Sequence, residues 1–376
     1  MRAHAAALVT DAWRVTLIAY VEASLPDARE AGLEVVALAD PLGERARAAR
    51  GSARVLWAGL RLAQVAWGLW RALGARQWDA VLVQNPPALP TLAVARAACA
   101  WSGARLIVDW HNFGRAMLAL RMGDGLVVRV AGWLERTLAR GAAGHLCVTE
   151  AMRAELARAW AVDARVLADG SRADVVQIRR DAARRRLAEL VEVPADAVVV
   201  VTATSWTLDE AHELLVEALD LCGARGGAGA RVVAIMTGRG AGRAAFARRL
   251  EQRPAGAPRV ELLWAAEDDY RAILRGADLG ISLHRSASGV DFPMKIVDMQ
   301  AAGLPVLALD YGAALHEGFA EGHDGWTFRD AAGLADLLDR LAGDGGARDA
   351  LRASVGPGEC WDAAWARVAR PVVEGS

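Results

Sequence analysis

Ten short runs rich in Val, Ile and Leu recur along the chain in two series of five. The first series is RVTLIAY (14–20), LEVVAL (33–38), DAVLVQ (79–84), RLIVDW (105–110) and HLCVT (145–149). The second is AVVVVTATS (197–205), RVVAIMTG (231–238), RVELLW (259–264), DLGISLH (278–284) and LPVLAL (304–309). Longer helical stretches, among them 91–102, 126–140 and 150–160, lie between runs of the first series. Alternation of this kind makes parallel sheets, because each helix carries the chain back to start the next strand in the same direction. Two series predict an α/β protein of two Rossmann-like domains whose parallel sheets face a central cleft.

The segment 168–197 has little apolar periodicity before an arginine-rich helix and reads as a domain linker. This gives an N-terminal domain at 1–178 and a C-terminal domain at 179–346. A helical tail follows at 347–376, with Trp361 and Trp365 four residues apart on one face, suited to packing back on the first domain.

A length of 376 residues suits about two cores, and 54 % hydrophobic with 24 % charged residues marks a globular chain. The net charge of −1 gives no field that would draw it to nucleic acid. Cys99, Cys147, Cys222 and Cys360 are scattered without CxxC spacing, so they read as free buried thiols of a reducing compartment. No secretory signal follows Met1, and no run approaches the roughly 20 apolar residues of a membrane span. The nearest, VLWAGLRLAQVAWGLWRAL (55–73), is broken by Arg61, Gln64 and Arg71 near one helix face. It reads either as an interfacial helix lying on a membrane or as a helix buried in a large α/β domain.

Ligands of such sheets sit at the carboxyl ends of the strands, which turns attention to a few segments. They are QNPPALP (84–90), DWHNFG (109–114), TSWTLDE (204–210), TGRG (237–240) and LHRSASGVDFPMK (283–295). Asparagine occurs only at positions 85 and 112, and the 44 basic residues include a single lysine, Lys295; all three fall in these segments. TGRG is a turn whose glycines let the backbone approach a phosphate while Arg239 adds charge, although most such turns are only turns. Lys295 falls in the first turn of a helix and can meet a diphosphate there, with Asp298 one turn further on for ribose hydroxyls. A surface lysine and a solvated aspartate are the plain alternatives, and only their combination points to a nucleotide. The signatures GxGxxG after the first strand, GxxxxGK[ST], GxSxG and a DxD dyad are absent, and no metal site is read from the chain.

In this order, VQNPPALPTL, LIVDWHNFG, LCVTEAM, SWTLDE, TGRG, EDDYRAILRGADLGISLHRSASGVDFPMKIVDMQAAGLPV and HDGWTF closely resemble the chitobiosyldiphosphodolichol β-mannosyltransferase family. The resemblance spans about 83 to 328 and implies a GT-B fold. It implies inverting transfer of mannose from GDP-mannose to dolichyl-diphosphate-linked chitobiose through a β-1,4 bond, at the cytosolic face of the endoplasmic reticulum membrane. No tightly bound cofactor follows from it, and a divalent cation without protein ligands stays open. Lys295 and Arg239 would meet the diphosphate and Asp298 the ribose. Ser205, Trp206, Gly238, Gly240, Ser286, Ser288, Gly289 and Asp291 would line the donor pocket. Asn85, Pro86 and Asn112 belong to the acceptor side, and the general base lies among Asp109, His111 and Glu150. Partners implied are the lipid acceptor, the membrane surface through 55–73, and other transferases of N-glycan assembly.

The chain also departs from the family. Members carry an N-terminal anchor and a first strand ending in a motif like Gly-Arg-Ser-Pro-Arg-Met, whereas this chain opens MRAHAAALVTDAWRVTLIAY. The anchor, that strand and its acceptor-facing loop are therefore expected to be missing, leaving the first sheet without a central strand. Ala287 interrupts the usual serine run, Arg239 stands where lysine is common, and Asp324 where asparagine is usual. Two other readings stay in view: a GT-B transferase with a different nucleotide sugar or acceptor, and an inactive scaffold that binds partner transferases.

Overall fold

The computed structural model describes residues 1–20, 32–43, 45, 51–170, 178–254, 256–356 and 358–375. Two units emerge, one of Met1–Leu167 with Asp362–Ser376 and the other of Ala168–Trp361.

The second unit shows why its valine run is continuous. Val198 and Val200 of strand β7 (Val198–Ala203) enter one core with Leu215, Leu219 and Leu334. Val199 and Val201 enter another with Leu187, Ile273 and Met299. Both faces of the sheet are covered by helices, so both parities of the strand must be apolar. The remaining strands are β8 (Val232–Thr237), β9 (Arg259–Leu263), β10 (Leu279–Ser282), β11 (Val306–Leu309) and β12 (Gly325–Phe328), all parallel in the order β12-β11-β10-β7-β8-β9. The chain builds outward from β7 through β8 and β9, then returns to the other side of β7 to lay down β10. The switch point between β7 and β10 leaves a crevice at their carboxyl ends.

Part of the segment expected to be a linker belongs to this unit. Helix Arg180–Leu190 buries Ala183 and Leu187, and Arg180 and Arg184 pair with Asp278 at 3.0 and 3.2 Å. Its charged residues outnumber its apolar ones, which hid a narrow buried stripe. Positions 171–177 of the same segment lie outside the described residues.

In the first unit, β3 (Ala80–Asn85), β4 (Arg105–Trp110), β5 (Gly144–Cys147) and the two-residue β6 (Arg165–Val166) form one parallel sheet in chain order. Strands β1 (Val15–Tyr20) and β2 (Leu33–Leu38) form a separate parallel pair. Helix Trp361–Glu374 is fastened into this unit. Trp365 is buried and donates its indole N–H to His4 Nδ1 at 3.1 Å, and Arg105 donates to the carbonyls of Val372 and Val373. The strands missing from the sequence reading, β6 and β12, are short, and β12 opens on a glycine.

The interrupted apolar run forms helix Gly51–Gly74, which buries Leu69 and Leu73 and leaves Arg71 exposed. Arg61 pairs with Asp40 at 2.7 Å, and Gln64 donates to the Ala39 carbonyl at 2.8 Å. Val55, Leu56 and Trp67 are 76, 63 and 63 % exposed, so the buried-helix reading does not describe this element. No helix among the described residues is long and apolar enough to cross a membrane. Cys99, Cys147 and Cys222 are buried free thiols, whereas Cys360, just before the last helix, is exposed and departs from the expectation.

Candidate active site

In the second unit, the loops after β7, β8 and β10 and the start of helix Met294–Ala301 meet around one carboxylate, Glu210. It accepts the Thr204 hydroxyl at 2.7 Å, the Ser205 N–H at 3.0 Å and the Lys295 ammonium, and lies 3.2 Å from His212 Nε2. Burial alone would raise its pKa. The His212 hydrogen bond and the Lys295 charge overcome that and hold the carboxyl well below its usual range. Lys295 keeps 16 % of its side chain exposed. An ammonium has three donors, and Glu210 fixes its position while using one.

The glycines of TGRG are dictated by backbone contact. A Cβ on Gly238, at φ +154°, would lie 1.7 Å from the Thr204 carbonyl oxygen, and one on Gly240 would lie 2.2 Å from that of Ser205. The β8 loop is thus laid directly on the β7 loop. Trp206 locks the pair by donating its indole N–H to the Gly238 carbonyl at 3.2 Å, stacked on His212 and buried. Arg239 is exposed, its guanidinium carbon 4.1 Å from the centre of the Trp264 ring, a cation–π contact.

The serine-glycine loop after β10 is organised by Asp291. It accepts His284 Nε2 at 2.9 Å, the Ser286 hydroxyl, and the Ser288 hydroxyl at 3.4 Å, while Ser286 Oγ accepts the Gly289 N–H at 2.7 Å. Burial works to raise the Asp291 pKa, and the bonds from His284 and Ser286 reverse the direction. Asp291 is 6 % exposed, which makes it the frame of this loop. Trp206 (φ 57°) and Ser286 (φ 42°) are two of the four described non-glycine residues with positive φ, and both sit at the switch point. Such strain gathers where a loop is held for a ligand. Asp298 lies one turn after Lys295 and meets the Tyr270 hydroxyl at 3.5 Å.

In the first unit, the end of β4 carries a second cluster. Asp109 is 2 % exposed and its Oδ2 lies 2.8 Å from His111 Nε2 and 3.1 Å from His4 Nε2. Because Trp365 donates to His4 Nδ1, the His4 proton sits on Nε2 and points at Asp109. Burial favours the neutral acid, but the two imidazoles outweigh it and hold Asp109 well below the usual carboxylate range. His111 keeps 24 % of its side chain exposed. Glu150 stands in the first turn of helix Glu150–Glu155, 59 % exposed and paired with Arg153 at 2.5 Å.

Asn85 and Asn112 are 0 and 7 % exposed, which places them behind the loops. Asn85 Nδ2 donates to Glu135 Oε1 at 2.8 Å and to the Asn112 carbonyl at 3.1 Å, next to Pro86. Glu135 also accepts the Gly114 and Arg115 N–H groups at 2.7 and 3.0 Å, capping helix Gly114–Met122 from outside; burial raises its pKa. The sequence reading passed over Glu135, Glu210 and His4. Glu135 had a signal, a carboxylate in the stripe Val128, Gly132, Glu135 and Ala139 that is otherwise small or apolar. Among the described residues no cluster of three or more His, Cys, Asp or Glu side chains could hold a metal ion.

Two parallel α/β units, with a charged cluster at the switch point of one and a histidine–aspartate cluster at a strand end of the other, define a GT-B glycosyltransferase. Family models agree: residues 1–168 match the glycosyl transferase 4-like domain and residues 196–344 match glycosyl transferases group 1. The fold is shared with WaaG, a glycosyltransferase of lipopolysaccharide biosynthesis (TM-score 0.70, 14 % identity, 99 % of this chain and 94 % of that one). It is shared also with Anabaena HepE in complex with UDP (TM-score 0.64, 16 % identity, 96 % and 98 %).

Sequence comparison narrows the class. The chitobiosyldiphosphodolichol beta-mannosyltransferase of Arthroderma benhamiae is 36 % identical over 82 % of this chain and 75 % of its own, and that of Mus musculus 30 % over 91 % and 78 %. The UDP-glycosyltransferase TURAN of Arabidopsis thaliana is 32 % identical over 78 % and 76 %. The chain belongs to the chitobiosyldiphosphodolichol beta-mannosyltransferase family.

Proposed function

We propose that the enzyme transfers mannose from GDP-mannose to dolichyl-diphosphate-linked chitobiose, making a β-1,4 bond with inversion, as an early step of N-glycan precursor assembly at the cytosolic face of the endoplasmic reticulum. The names and coverage of its relatives support the substrates, and one observation carries the chemistry: Lys295, the chain's single lysine, is held by Glu210 at the switch-point crevice. In this reading Lys295 and Arg239 receive the donor diphosphate, and Asp298 a ribose hydroxyl. Ser205, Ser286, Ser288 and Gly289 shape the pocket, with Trp206, Gly238, Gly240 and Asp291 holding its loops.

His111 is the proposed base. Asp109 is buried and already faces two imidazoles, which leaves it a poor proton acceptor but a good anchor for His111. The acceptor hydroxyl gives its proton to His111 as its oxygen forms a bond to the mannose anomeric carbon. The bond from that carbon to the diphosphate breaks on the opposite side, its electron pair leaves with GDP, and Lys295 balances the growing charge. Pro86, beside buried Asn85, would shape the acceptor side. The exposed Val55, Leu56 and Trp67 of helix Gly51–Gly74 would rest on the membrane carrying the lipid acceptor.

The test is transfer from GDP-mannose to a chitobiosyl-diphosphate lipid, read as a trisaccharide lipid with β stereochemistry. Because one relative is called a UDP-glycosyltransferase, UDP sugars are run alongside, together with thermal stabilisation by each nucleotide. Stabilisation and transfer with UDP sugars but not GDP-mannose would replace the donor assignment. Nucleotide binding without any transfer would favour the scaffold reading.

A further inference from the structure

We infer that Trp365 and His4 are positioning residues for the proton transfer at His111, acting on it through Asp109. The inference rests on the reading of His111 as the base. Four side chains far apart in sequence form one line inside the first unit, from helix Trp361–Glu374 through helix Arg2–Thr10 to the end of β4. Trp365 donates its indole N–H to His4 Nδ1 at 3.1 Å, and His4 Nε2 lies 3.1 Å from Asp109 Oδ2. The same Oδ2 lies 2.8 Å from His111 Nε2. Trp365, His4 and Asp109 are all buried, so water competes little for these bonds. The same two helices are tied a second time, away from the line, where Arg370 Nε donates to Asp11 Oδ2 at 2.8 Å.

The line has a direction, and the direction fixes where each proton sits. An indole N–H only donates, so His4 offers it a lone pair at Nδ1 and carries its own proton on Nε2. That proton goes to Asp109, and a neutral donor holds the carboxylate without cancelling its charge. Oδ2 has two lone pairs; His4 occupies one and His111 the other, which sets the rotation of the carboxylate. A carboxylate only accepts, so His111 gives it the Nε2 proton and keeps its lone pair on Nδ1. The acceptor hydroxyl therefore loses its proton to Nδ1, and the imidazolium forms beside an uncancelled negative charge. Without the indole N–H, nothing in the line prevents His4 from turning the other nitrogen to Asp109 or from protonating and claiming its charge. A buried chain of this kind acts on the base only as a whole.

The experiment measures steady-state transfer, melting temperature and histidine-labelled nitrogen NMR spectra of the intact chain and its variants. Trp365→Phe and His4→Phe keep an aromatic ring and remove the bonds. Each should lower kcat about tenfold or more, part of what a general base supplies, with KM and GDP affinity within about twofold of the parent. Benzothienylalanine at position 365, which exchanges the indole N–H for sulfur at nearly the same shape, should give the same loss in a fold left intact. His4→Gln presents one acceptor and one donor in place of the two ring nitrogens and should recover most of kcat. The His111 ring resonances should move in the variants that lose kcat. Arg370→Met, which unties Asp11, should lower the melting temperature alone. Unchanged kcat in the benzothienylalanine protein, while His111→Ala is inactive, overturns the inference and leaves the base in place. So does an equal loss of kcat in Arg370→Met, which would make helix docking the cause. Full turnover by His111→Ala removes the base assignment itself, and the inference with it.

Discussion

Lys295 donates to Glu210 across 85 residues of sequence, tying the first turn of helix Met294–Ala301 to the loop after β7. The carboxylate sets where the ammonium stands, and the proposed diphosphate takes what remains of its donors. Lys295→Ala should lower kcat by about 10²–10³-fold, the scale of removing one charge-stabilising donor, while circular dichroism stays native. Lys295→Arg should recover only part, since a planar fork cannot reproduce an ammonium in this pocket. Turnover of the alanine variant within a few-fold of the parent would remove Lys295 from the chemistry.

His111 and the donor pocket lie in different units, so their effects should separate. His111→Ala is expected to cost about 10²–10⁴-fold in kcat/KM, the range of general-base catalysis, with GDP affinity unchanged. Asp109→Asn leaves the base present but removes its charged anchor. Its signature should be a loss of kcat/KM smaller than that of His111→Ala, with GDP affinity unchanged, measured beside the parent. A flat response to both variants would move the base elsewhere, Glu150 being the remaining acid singled out.

Strand existence was legible because apolar runs and parallel sheets share one cause, burial on both faces, as Val198 to Val201 demonstrate by alternating between two cores. Lys295 was legible because it is the chain's one lysine. Its partner was not, because nothing local in TLDE tells a buried network carboxylate from a solvated helix acid. His4 was invisible for the same reason: its meaning comes from Asp109 and Trp365, which stand 105 and 361 residues away. Asn85 and Asn112 stand out by rarity, and the structure shows both buried, Asn85 bonded to Glu135 and the Asn112 carbonyl.

Glu135 joins the β3 loop to the start of helix Gly114–Met122 through three donors. Glu135→Ala leaves the Gly114 and Arg115 N–H groups without this acceptor, while Asn85 Nδ2 keeps the Asn112 carbonyl. At about 1–3 kcal/mol for each unsatisfied group, the first unit should lose about 2 kcal/mol or more. Chemical denaturation followed by tryptophan fluorescence measures this. A loss under about 1 kcal/mol would mean that water replaces the carboxylate freely.

Asp109 and Glu210 both have pKa values lowered by folding, despite burial. A lowered carboxylate contributes stability above its unfolded value, near 3.9 for Asp and 4.3 for Glu, and loses it as pH falls through the folded value. Stability should therefore decline as pH drops below about 4 and keep declining at lower pH. Asp109→Asn and Glu210→Gln should each flatten that slope while lowering stability at neutral pH. Urea titrations between pH 7 and 3 read it directly, and an unchanged slope in both variants contradicts the assignment.

Helix Gly51–Gly74 ties Arg61 to Asp40 and Gln64 to the Ala39 carbonyl, buries Leu69 and Leu73, and leaves Val55, Leu56 and Trp67 exposed. A fully transferred side chain of this size is worth about 1.5–3 kcal/mol, so losing two should weaken membrane partition by at least about tenfold. The double variant Leu56→Ser, Trp67→Ser removes no hydrogen bond to Asp40 or the Ala39 carbonyl, and its melting temperature should match the parent. Co-sedimentation with phospholipid vesicles is the measurement. Activity on a short, water-soluble acceptor should survive, while activity on vesicle-bound acceptor falls with binding. Undiminished vesicle binding by this variant would shift the contact to another apolar surface, the nearest in composition being Leu126, Val127 and Trp133, which are 77, 59 and 56 % exposed.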